Sequence, residues 1–277
     1  MKWYYKGGAF DLSKHGVVMG ILNITPDSFS DGGQYAAVDE AVEAALQMVA
    51  EGAQIIDIGG ESTRPGSPAV LLEEELQRTI PVIEALREKW DGVISIDTSK
   101  PEVARTALEA GANIVNDVTG LTDPEMVLVC RDSGAGVVVM HMQGNPRTMQ
   151  DQPQYEDVVA EIRSFFEEQL EMLTVAGIRP ENICFDPGIG FGKTVQHNLD
   201  LIEGLPELEV EGRPIVVGLS RKSFIGKLLE SDNLQDREWP TVALTAKCRK
   251  LGAKVHRVHR VRDNVDAVRM AEAIMHV

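Results

Sequence analysis

The stretch VISIDTSKPEVARTALEAGANIVND, residues 93–117, contains the pattern that decides the fold class. Two short runs rich in apolar and β-branched residues, 93–97 and 113–117, are typical of strands that are buried on both faces. The segment between them, 102–110, has the pattern of a helix. Because parallel strands need a crossover connection, usually a helix, this stretch predicts one unit of a parallel α/β sheet.

The same alternation of short apolar runs and longer helical patterns continues toward both ends of the chain. The predicted strands are 17–23, 54–59, 93–97, 113–117, 136–140, 183–186, 214–218 and 254–258, and the predicted helices include 38–51, 72–90, 102–110, 155–176, 242–251 and 265–275. About eight strands, each followed by a helix, favour a closed (β/α)8 TIM barrel over an open doubly wound sheet, which is the alternative. No linker or low-complexity stretch divides the chain, so we predict a single domain over 1–277 with an N-terminal lead-in at 1–16.

The charge balance narrows the range of partners. The 277 residues carry a formal net charge of −16, in a composition that is otherwise ordinary for a globular protein. A strongly acidic chain is a poor partner for nucleic acid, whose phosphates must be neutralised on binding. If the substrate is an anion, the positive charge that binds it must therefore be concentrated at one place.

The sequence shows no signal of a membrane or secretory protein. No apolar run approaches the roughly 20 residues that span a bilayer, and residues 1–16 lack the apolar core of a signal peptide. Cys130, Cys184 and Cys248 are odd in number and widely spaced, and they form no C-x-x-C pair. We interpret them as small apolar residues in a reducing compartment, and we expect a soluble, cytoplasmic protein with no membrane partner.

Polar residues follow nearly every predicted strand at its C-terminal end. They are Asn23, Asp57, Asp97, Asn116, Asp117, His141, Asp186, Ser220, Arg221, Lys222, Arg257 and His259. In a barrel of parallel strands these ends meet at one rim, which is where the active sites of such barrels lie. We therefore predict one active site at the C-terminal rim of the parallel strands.

Two long loops follow the first and second strands. Residues 24–36 and 60–71 are rich in polar residues, glycine and proline, and they exceed a minimal βα turn. The first contains Phe29, a large apolar residue among polar ones, and the second contains Arg64, which is able to bind an anion or stack on an aromatic ring. We predict mobile substrate loops here, with a solvated Ω-loop or an ordinary Gly/Pro-rich connection as the alternatives.

Asp97, Asn116 and Asp186 stand at the ends of three different strands. Structural ion pairs or helix caps are one explanation, because buried carboxylates need partners. Recognition of a flat heterocycle is the other, because a carboxylate accepts two parallel hydrogen bonds from an edge with adjacent N–H donors. Taken singly, these residues leave both explanations open.

Two basic segments, SRKS at 220–223 and RVHR at 257–260, follow the last two strands. The loops after strands seven and eight are the usual phosphate site of a TIM barrel. An anion site is therefore favoured over a solvated basic turn. The glycine-rich segment DPGIGFGKT, 186–194, matches neither a P-loop nor a dinucleotide-binding fingerprint, and we assign it no nucleotide.

The sequence contains no spacing typical of a zinc site. His256 and His259 face opposite sides of a predicted strand, so they are not expected to chelate one ion. A magnesium ion brought in by a pyrophosphate is more plausible, because it needs only one or two protein oxygens, such as that of Asn23, and keeps its waters.

Eight segments of the chain resemble, in order, the signature segments of the dihydropteroate synthases. They are GILNITPDSFSDGG (20–33), DIGGESTRPG (57–66), SIDTSKPEVA (95–104), IVNDVTG (114–120), VVVMHMQGNP (137–146), FDPGIGFGKT (185–194), VGLSRKSFIG (217–226) and HRVH (256–259). The resemblance implies a TIM-barrel transferase, usually a homodimer, of the folate pathway. Such an enzyme joins 7,8-dihydropterin-6-ylmethyl pyrophosphate to p-aminobenzoate, which gives 7,8-dihydropteroate and pyrophosphate.

The resemblance also implies roles for individual residues. The catalytic residues would be Asp97, Lys222, Arg257 and His259. The pterin would be bound by Asp97, Asn116, Met140, Asp186, Gly218 and Lys222. The pocket for p-aminobenzoate, and for competing sulfonamides, would comprise Phe29, Thr63, Arg64, Pro65, Phe191 and Ser220. The pyrophosphate would be bound by Asn23, Arg257 and His259, with Asn23 as a ligand of its Mg²⁺ cofactor.

The implied chemistry is dissociative. Arg257 and His259, together with magnesium, would stabilise the charge on the departing pyrophosphate, and Asp97 would stabilise the pterin methyl cation that the amine then captures. A barrel of the methyltetrahydrofolate:corrinoid methyltransferase type and a non-catalytic pterin-binding barrel are the alternatives. The former has no need of the two basic segments. Two departures from the family pattern are Arg260, which stands where an aspartate is common, and Pro240, which stands where a glycine is more common.

Overall fold

The computed structural model describes residues 1–24, 34–62, 67, 69–144 and 148–275. The chain starts with a small antiparallel hairpin of two strands, β1 Lys2–Tyr5 and β2 Gly8–Asp11. Eight parallel strands form the central sheet. They are β3 Val17–Asn23, β4 Ile55–Gly59, β5 Val93–Asp97, β6 Ile114–Asp117, β7 Gly136–Met140, β8 Ile183–Asp186, β9 Val216–Val217 and β10 Val255–Val258.

The eight strands form a barrel. Their order in the sheet is β8-β7-β6-β5-β4-β3-β10-β9, so strands that follow one another along the chain are mostly neighbours. A parallel bridge between Phe185 of β8 and Ile215, directly before β9, brings the two ends of the sheet together. The predicted (β/α)8 barrel is confirmed.

Helices connect the strands and cover the outside of the barrel. They are α1 Gln34–Ala50, α2 Leu72–Lys89, α3 Pro101–Glu109, α4 Pro124–Ser133, α5 Val158–Val175, α6 Val195–Glu203, α7 Ser223–Leu229, α8 Glu238–Lys250 and α9 Val261–Met275. None of the helices in the described part of the chain is both long and apolar enough to cross a membrane. The predicted strand 214–218 is shorter in the structure, because Ile215 makes only an isolated bridge and the ladder continues through Val216–Val217 alone.

The N-terminal hairpin closes one end of the barrel, a feature that the predicted lead-in at 1–16 did not include. Trp3 is fully buried in a cluster with the first residues of several strands, among them Val17, Ile55 and Val93. Its indole Nε1 donates a hydrogen bond of 2.9 Å to the carbonyl oxygen of Asn182. The N-terminal end of the barrel is therefore filled with apolar side chains, and only the C-terminal rim is available to a polar ligand.

Truncating the Trp3 side chain tests how much the apolar cluster at this end of the barrel contributes to stability. We expect Trp3→Ala to lower the free energy of unfolding by about 3–5 kcal/mol, because it leaves a large cavity and an unpaired carbonyl. Urea denaturation followed by circular dichroism measures the change. Trp239→Ala is the matched control, since that ring is 69% exposed, and it should cost less than about 0.5 kcal/mol. Equal losses in the two variants would contradict the assignment.

Candidate active site

A cavity of about 670 Å³ opens at the C-terminal rim of the barrel. Asn23, Gly59 and Asp97, the last residues of β3, β4 and β5, are paired across the sheet and line the cavity side by side. The predicted site residues on the lining are Asn23, Asp97, Phe191, Gly218, Ser220, Lys222, Arg257 and His259. The structure therefore brings together, in one cavity, residues that the sequence analysis selected from five separate strands.

The floor of the cavity contains a guanidinium held by two carboxylates. Arg257 of β10 donates from Nε to Asp57 Oδ2 and from Nη2 to Asp97 Oδ2, both at 2.6 Å. Asn116 Nδ2 donates to the same oxygen of Asp57, at 3.1 Å. All four side chains lie largely in the interior, and Asp57 is completely buried. Asp57 was among the polar residues predicted at the strand ends, but no individual role in the site was predicted for it.

Burial and charge set the protonation of this group. Burial raises the pKa of Asp97 to about 7, and the neighbouring carboxylates of Asp57 and Glu75 also raise it, while Arg257 opposes them. Burial lowers the pKa of Arg257, but Asp57 and Asp97 outweigh it and hold that pKa above its ordinary value. Asp97 Oδ1 is buried and has no hydrogen-bond partner among the described residues, so it is available to an N–H donor of a ligand.

The raised pKa of Asp97 predicts pH-dependent binding. An ionised carboxylate accepts hydrogen bonds from N–H donors better than a protonated one, so a ligand with such donors should bind more tightly as the pH rises through 7. For 6-hydroxymethyl-7,8-dihydropterin, which has no phosphate to titrate, we expect about tenfold weaker binding at pH 6 than at pH 8.5. Calorimetry at both pH values measures it. Asp97→Asn should abolish the slope; an unchanged slope in that variant would assign it to another group.

Three predicted pterin residues, Asn116, Met140 and Asp186, are buried beside the cavity rather than on its lining. Asp186 Oδ1 accepts a hydrogen bond of 2.7 Å from the backbone N–H of Gly188. Burial raises the pKa of Asp186, against this hydrogen bond and the charge of Lys222. Its other oxygen lies 3.9 Å from the point where a side chain at Gly218 would begin, so the glycine leaves the carboxylate close to the cavity wall.

Lys222 and Phe191 form one wall of the cavity. The Lys222 Nζ lies 3.8 Å from the centroid of the Phe191 ring, which is a cation–π distance. Gly190 permits this approach: its φ is +83°, and a Cβ there would lie 2.9 Å from the Lys222 Cδ. Met140 packs in a small apolar cluster with Phe191 and Met149. This wall is therefore apolar at its base and carries an ammonium group above the ring.

Ser220 and His259 join the ends of β9 and β10. The His259 Nδ1 lies 2.9 Å from the Ser220 Oγ, and the His259 backbone N–H donates to the same oxygen at 3.2 Å.

His256, three residues earlier, is fully buried inside the barrel wall. Burial lowers the pKa of His256 to about 3, so it remains neutral. The prediction that the two histidines face different sides is consistent with this placement. No group of three metal-binding side chains occurs among the described residues.

Lys193, which was not a predicted site residue, fixes the loop that carries Phe191. It is 3% exposed, and its Nζ donates to the Phe191 carbonyl at 2.9 Å and lies 3.2 Å from His141 Nδ1. Burial lowers the pKa of Lys193 to about 7 and the pKa of His141 to about 3. Asn198 Oδ1 accepts from the Gly190 N–H at 2.7 Å. The glycine-rich segment 186–194 therefore forms a wall of the cavity, and these hydrogen bonds fix its position.

Four predicted residues, Phe29, Thr63, Arg64 and Pro65, lie outside the described residues. The described ends of the second loop border the cavity, and Glu61 closes its base by accepting from the Val70 N–H at 3.2 Å. Lys100 forms ion pairs with Glu61 and Glu75. Of the two departures from the family pattern, Arg260 pairs with Asp263 at 2.7 Å and is not part of the cavity lining, and Pro240 lies in the first turn of α8.

Comparisons with known proteins agree with this geometry. The family described as "Pterin binding enzyme" matches residues 19–259. The dihydropteroate synthase of Synechocystis is 49% identical over 266 residues, 96% of this chain and 92% of the relative. The Yersinia pestis dihydropteroate synthase, solved with a sulfonamide drug, superposes with a TM-score of 0.93 at 42% identity over 100% of both chains. The Burkholderia cenocepacia enzyme, solved with 7,8-dihydropteroate, has a TM-score of 0.90 at 41% identity over 99% of this chain and 96% of its own.

These matches extend over nearly the whole chain, and they include the residues that line the cavity. The chain belongs to the pterin-binding enzymes and, within them, to the dihydropteroate synthase family, whose members are transferases.

Proposed function

We propose that the cavity binds 7,8-dihydropterin-6-ylmethyl pyrophosphate and p-aminobenzoate and joins them to 7,8-dihydropteroate, with release of pyrophosphate. The observation that carries this proposal is the arrangement of the rim: Asp97, whose buried Oδ1 has no partner among the described residues, is paired with Arg257 and lines one cavity with Arg257 and Lys222. A flat heterocycle with N–H donors and an anionic leaving group requires this combination.

The pterin is assigned to the floor of the cavity. Asp97 and Asp186 supply carboxylate oxygens for the N–H edge of the ring, and Asn116 is fixed beside them through Asp57. Gly218 leaves room for a flat ring: apart from its neighbours along the chain, Asp186 Oδ2 at 3.9 Å is the one atom of the described residues within 4 Å of a Cβ built there. Lys222 and Met140 complete this subsite. Acceptors on several sides of a planar ligand fix its orientation as well as its affinity.

The pyrophosphate is assigned to Arg257, His259 and Asn23. Arg257 is held by carboxylates, so its charge is oriented before the substrate arrives. The donor set fits a magnesium ion that arrives with the pyrophosphate: the side chain of Asn23 is exposed at the cavity edge and offers one neutral oxygen. When bound, the ion would neutralise part of the leaving-group charge and keep most of its waters.

The reaction then needs no protein nucleophile. The bond from the pterin methylene to the pyrophosphate oxygen breaks with its electron pair on the leaving group, whose charge Arg257 and His259 stabilise. Asp97 stabilises the positive charge left on the pterin. The amine of p-aminobenzoate forms the new carbon–nitrogen bond, and the resulting ammonium releases its proton to the solvent. The residues for this second substrate are Phe191 and Ser220 of the described lining, together with Phe29, Thr63, Arg64 and Pro65.

The direct test is pyrophosphate release by the purified protein from the pterin pyrophosphate, with magnesium, in the presence and absence of p-aminobenzoate. We expect release that depends on p-aminobenzoate and yields 7,8-dihydropteroate, and we expect sulfonamides to compete with p-aminobenzoate. Pterin binding without release would instead indicate a non-catalytic binding protein. Failure to bind the pterin would overturn the proposed function.

Removing Lys222 tests whether the substrate is bound by specific side chains or only by the positive charge of the rim. We expect Lys222→Ala to lower kcat/KM for the pterin pyrophosphate by about 100-fold or more, because it removes a preorganised cation from the cavity. Steady-state kinetics measure it. Lys227→Ala, an exposed lysine in the last turn of α7, is the control and should leave kcat/KM within twofold. Near wild-type kinetics of Lys222→Ala would remove this residue from the site.

We also propose a cytoplasmic homodimer. The free cysteines Cys130, Cys184 and Cys248 are all buried, which supports a reducing compartment. Large apolar side chains such as Leu228 of α7 and Ile274 of α9 are more than half exposed, and a subunit contact would cover surfaces of this kind. Light scattering coupled to size-exclusion chromatography measures the oligomeric state.

A further inference from the structure

The segment between Ser220 and Lys222 contains an unfavourable backbone conformation. Leu219 O accepts a hydrogen bond from the Lys222 N–H at 3.3 Å, so residues 219–222 form a tight turn. Its third residue, Arg221, has a φ of +61°, which belongs to a glycine in a turn of this kind. A residue with a side chain stays there only when its surroundings hold it.

The contacts that hold Arg221 come from one short segment, the turn before α8 and the first turn of that helix. Arg237 Nη1 donates to the Arg221 carbonyl at 3.1 Å. Thr241 Oγ1 accepts from the Arg221 N–H at 3.4 Å, and Glu238 Oε1 accepts from the Arg221 Nε at 2.6 Å. The backbone N–H, the backbone carbonyl and the side chain of Arg221 are therefore all bound by this segment.

Thr241 links the contacts to one another. Its hydroxyl donates to the Arg237 carbonyl at 2.6 Å while it accepts from Arg221. Arg237 is also tightly packed, because a side chain at Gly226 would begin 2.7 Å from its Nε. Thr241 is fully buried and is not part of the cavity lining, so it acts on the cavity only through Arg221 and Arg237.

The turn fixes the two residues on either side of Arg221. Ser220 contacts His259 at 2.9 Å, and the Lys222 ammonium lies 3.8 Å from the Phe191 ring. Ser220 and Lys222 directly precede and follow Arg221 along the chain. A change in the backbone conformation of Arg221 therefore displaces both side chains.

We propose that Thr241 is a positioning residue, and that its hydroxyl, with Arg237 and Glu238, holds the turn at Arg221 so that Ser220 and Lys222 face the substrates. The inference rests on the proposed function for its substrates and on the hydrogen bonds above for its geometry. Helix α8 thereby has a part in the reaction although Thr241 touches no reacting atom.

The test compares two buried threonines of one helix. Thr241→Val removes the hydroxyl with little change of shape, and Thr241→Ser keeps it. Thr245→Val is the matched control: Thr245 is 1% exposed and one helical turn further on, and its hydroxyl donates to Asn264 Oδ1 at 2.7 Å instead of binding the turn at Arg221. We expect Thr241→Val to lower kcat/KM for the pterin pyrophosphate about tenfold, while Thr241→Ser and Thr245→Val stay within twofold of the wild type.

Thermal unfolding of all the variants separates activity from stability, since Thr241→Val and Thr245→Val should lose similar stability. If Thr241→Val does not fold, Thr241→Ala removes the same hydroxyl. Equal kinetics of Thr241→Val and Thr245→Val, or a Thr241→Ser variant as impaired as Thr241→Val, would overturn the proposal.

A second readout keeps this inference separate from the proposed function. Calorimetric binding of inorganic pyrophosphate needs no turnover. Because Ser220 of the turn contacts His259, which is assigned to the pyrophosphate, we expect the Kd for pyrophosphate to rise about tenfold in Thr241→Val and to stay unchanged in Thr245→Val. A wild-type protein without synthase activity would refute the proposed function while this comparison still decides the role of Thr241. A wild-type protein that binds no pyrophosphate would overturn both.

Discussion

The guanidinium of Arg257 is the interaction on which the rest of the site depends. It binds carboxylates from β4 and β5, and Asn116 of β6 shares one of them, so four strands are joined through a single side chain. Removing one partner from such a buried group leaves a charge uncompensated, which costs about 3–5 kcal/mol. The same network therefore stabilises the C-terminal rim and provides charge for binding. A guanidinium has five N–H donors, so two contacts with carboxylates leave donors for a phosphate.

This network also explains how a protein with a net charge of −16 is able to accept an anion. The relevant quantity is the local field, and the rim places Arg257, Lys222 and His259 around one cavity. The carboxylates of Asp57 and Asp97 are hydrogen-bonded to Arg257, which offsets their negative charge. At the opposite end of the barrel Trp3 is buried in an apolar cluster, so the basic residues of the described chain that face a cavity are those of the C-terminal rim.

Local sequence patterns predicted the barrel well because its strands are buried on both faces. Strands 17–23, 93–97, 136–140 and 183–186 have the predicted bounds, since a short run rich in apolar residues both forms and delimits a buried strand. The hairpin of β1 and β2 was not predicted, because its four-residue strands carry little periodic signal and depend on contacts with the barrel floor. The search for polar residues at the C-terminal ends of the strands found Asp97, Lys222 and Arg257, because parallel strands end at one rim.

The residues that sequence patterns did not assign act through contacts that are distant along the chain. Asp57 acquires its role from Arg257, 200 positions away, and Thr241 from Arg221, 20 positions away with helix α7 between them. Neither relation leaves a trace in local periodicity, because each depends on where the barrel places two segments. Resemblance to a family transfers residues that match a motif, and both of these lie outside the set that motifs assigned to the site.

The two halves of the cavity are built differently, and this gives the proposed reaction an order. The floor consists of strand ends locked by buried hydrogen bonds, whereas the outer wall is formed by connections such as 186–194, which Lys193 and Asn198 hold in place. A ligand on the floor meets groups that are already oriented. The second substrate needs the wall formed by Phe191 and Lys222, whose position depends on the turn at Arg221. If the pterin occupies the floor as proposed, its ring would complete the arylamine pocket beneath that wall, and we therefore expect the pterin pyrophosphate to bind first.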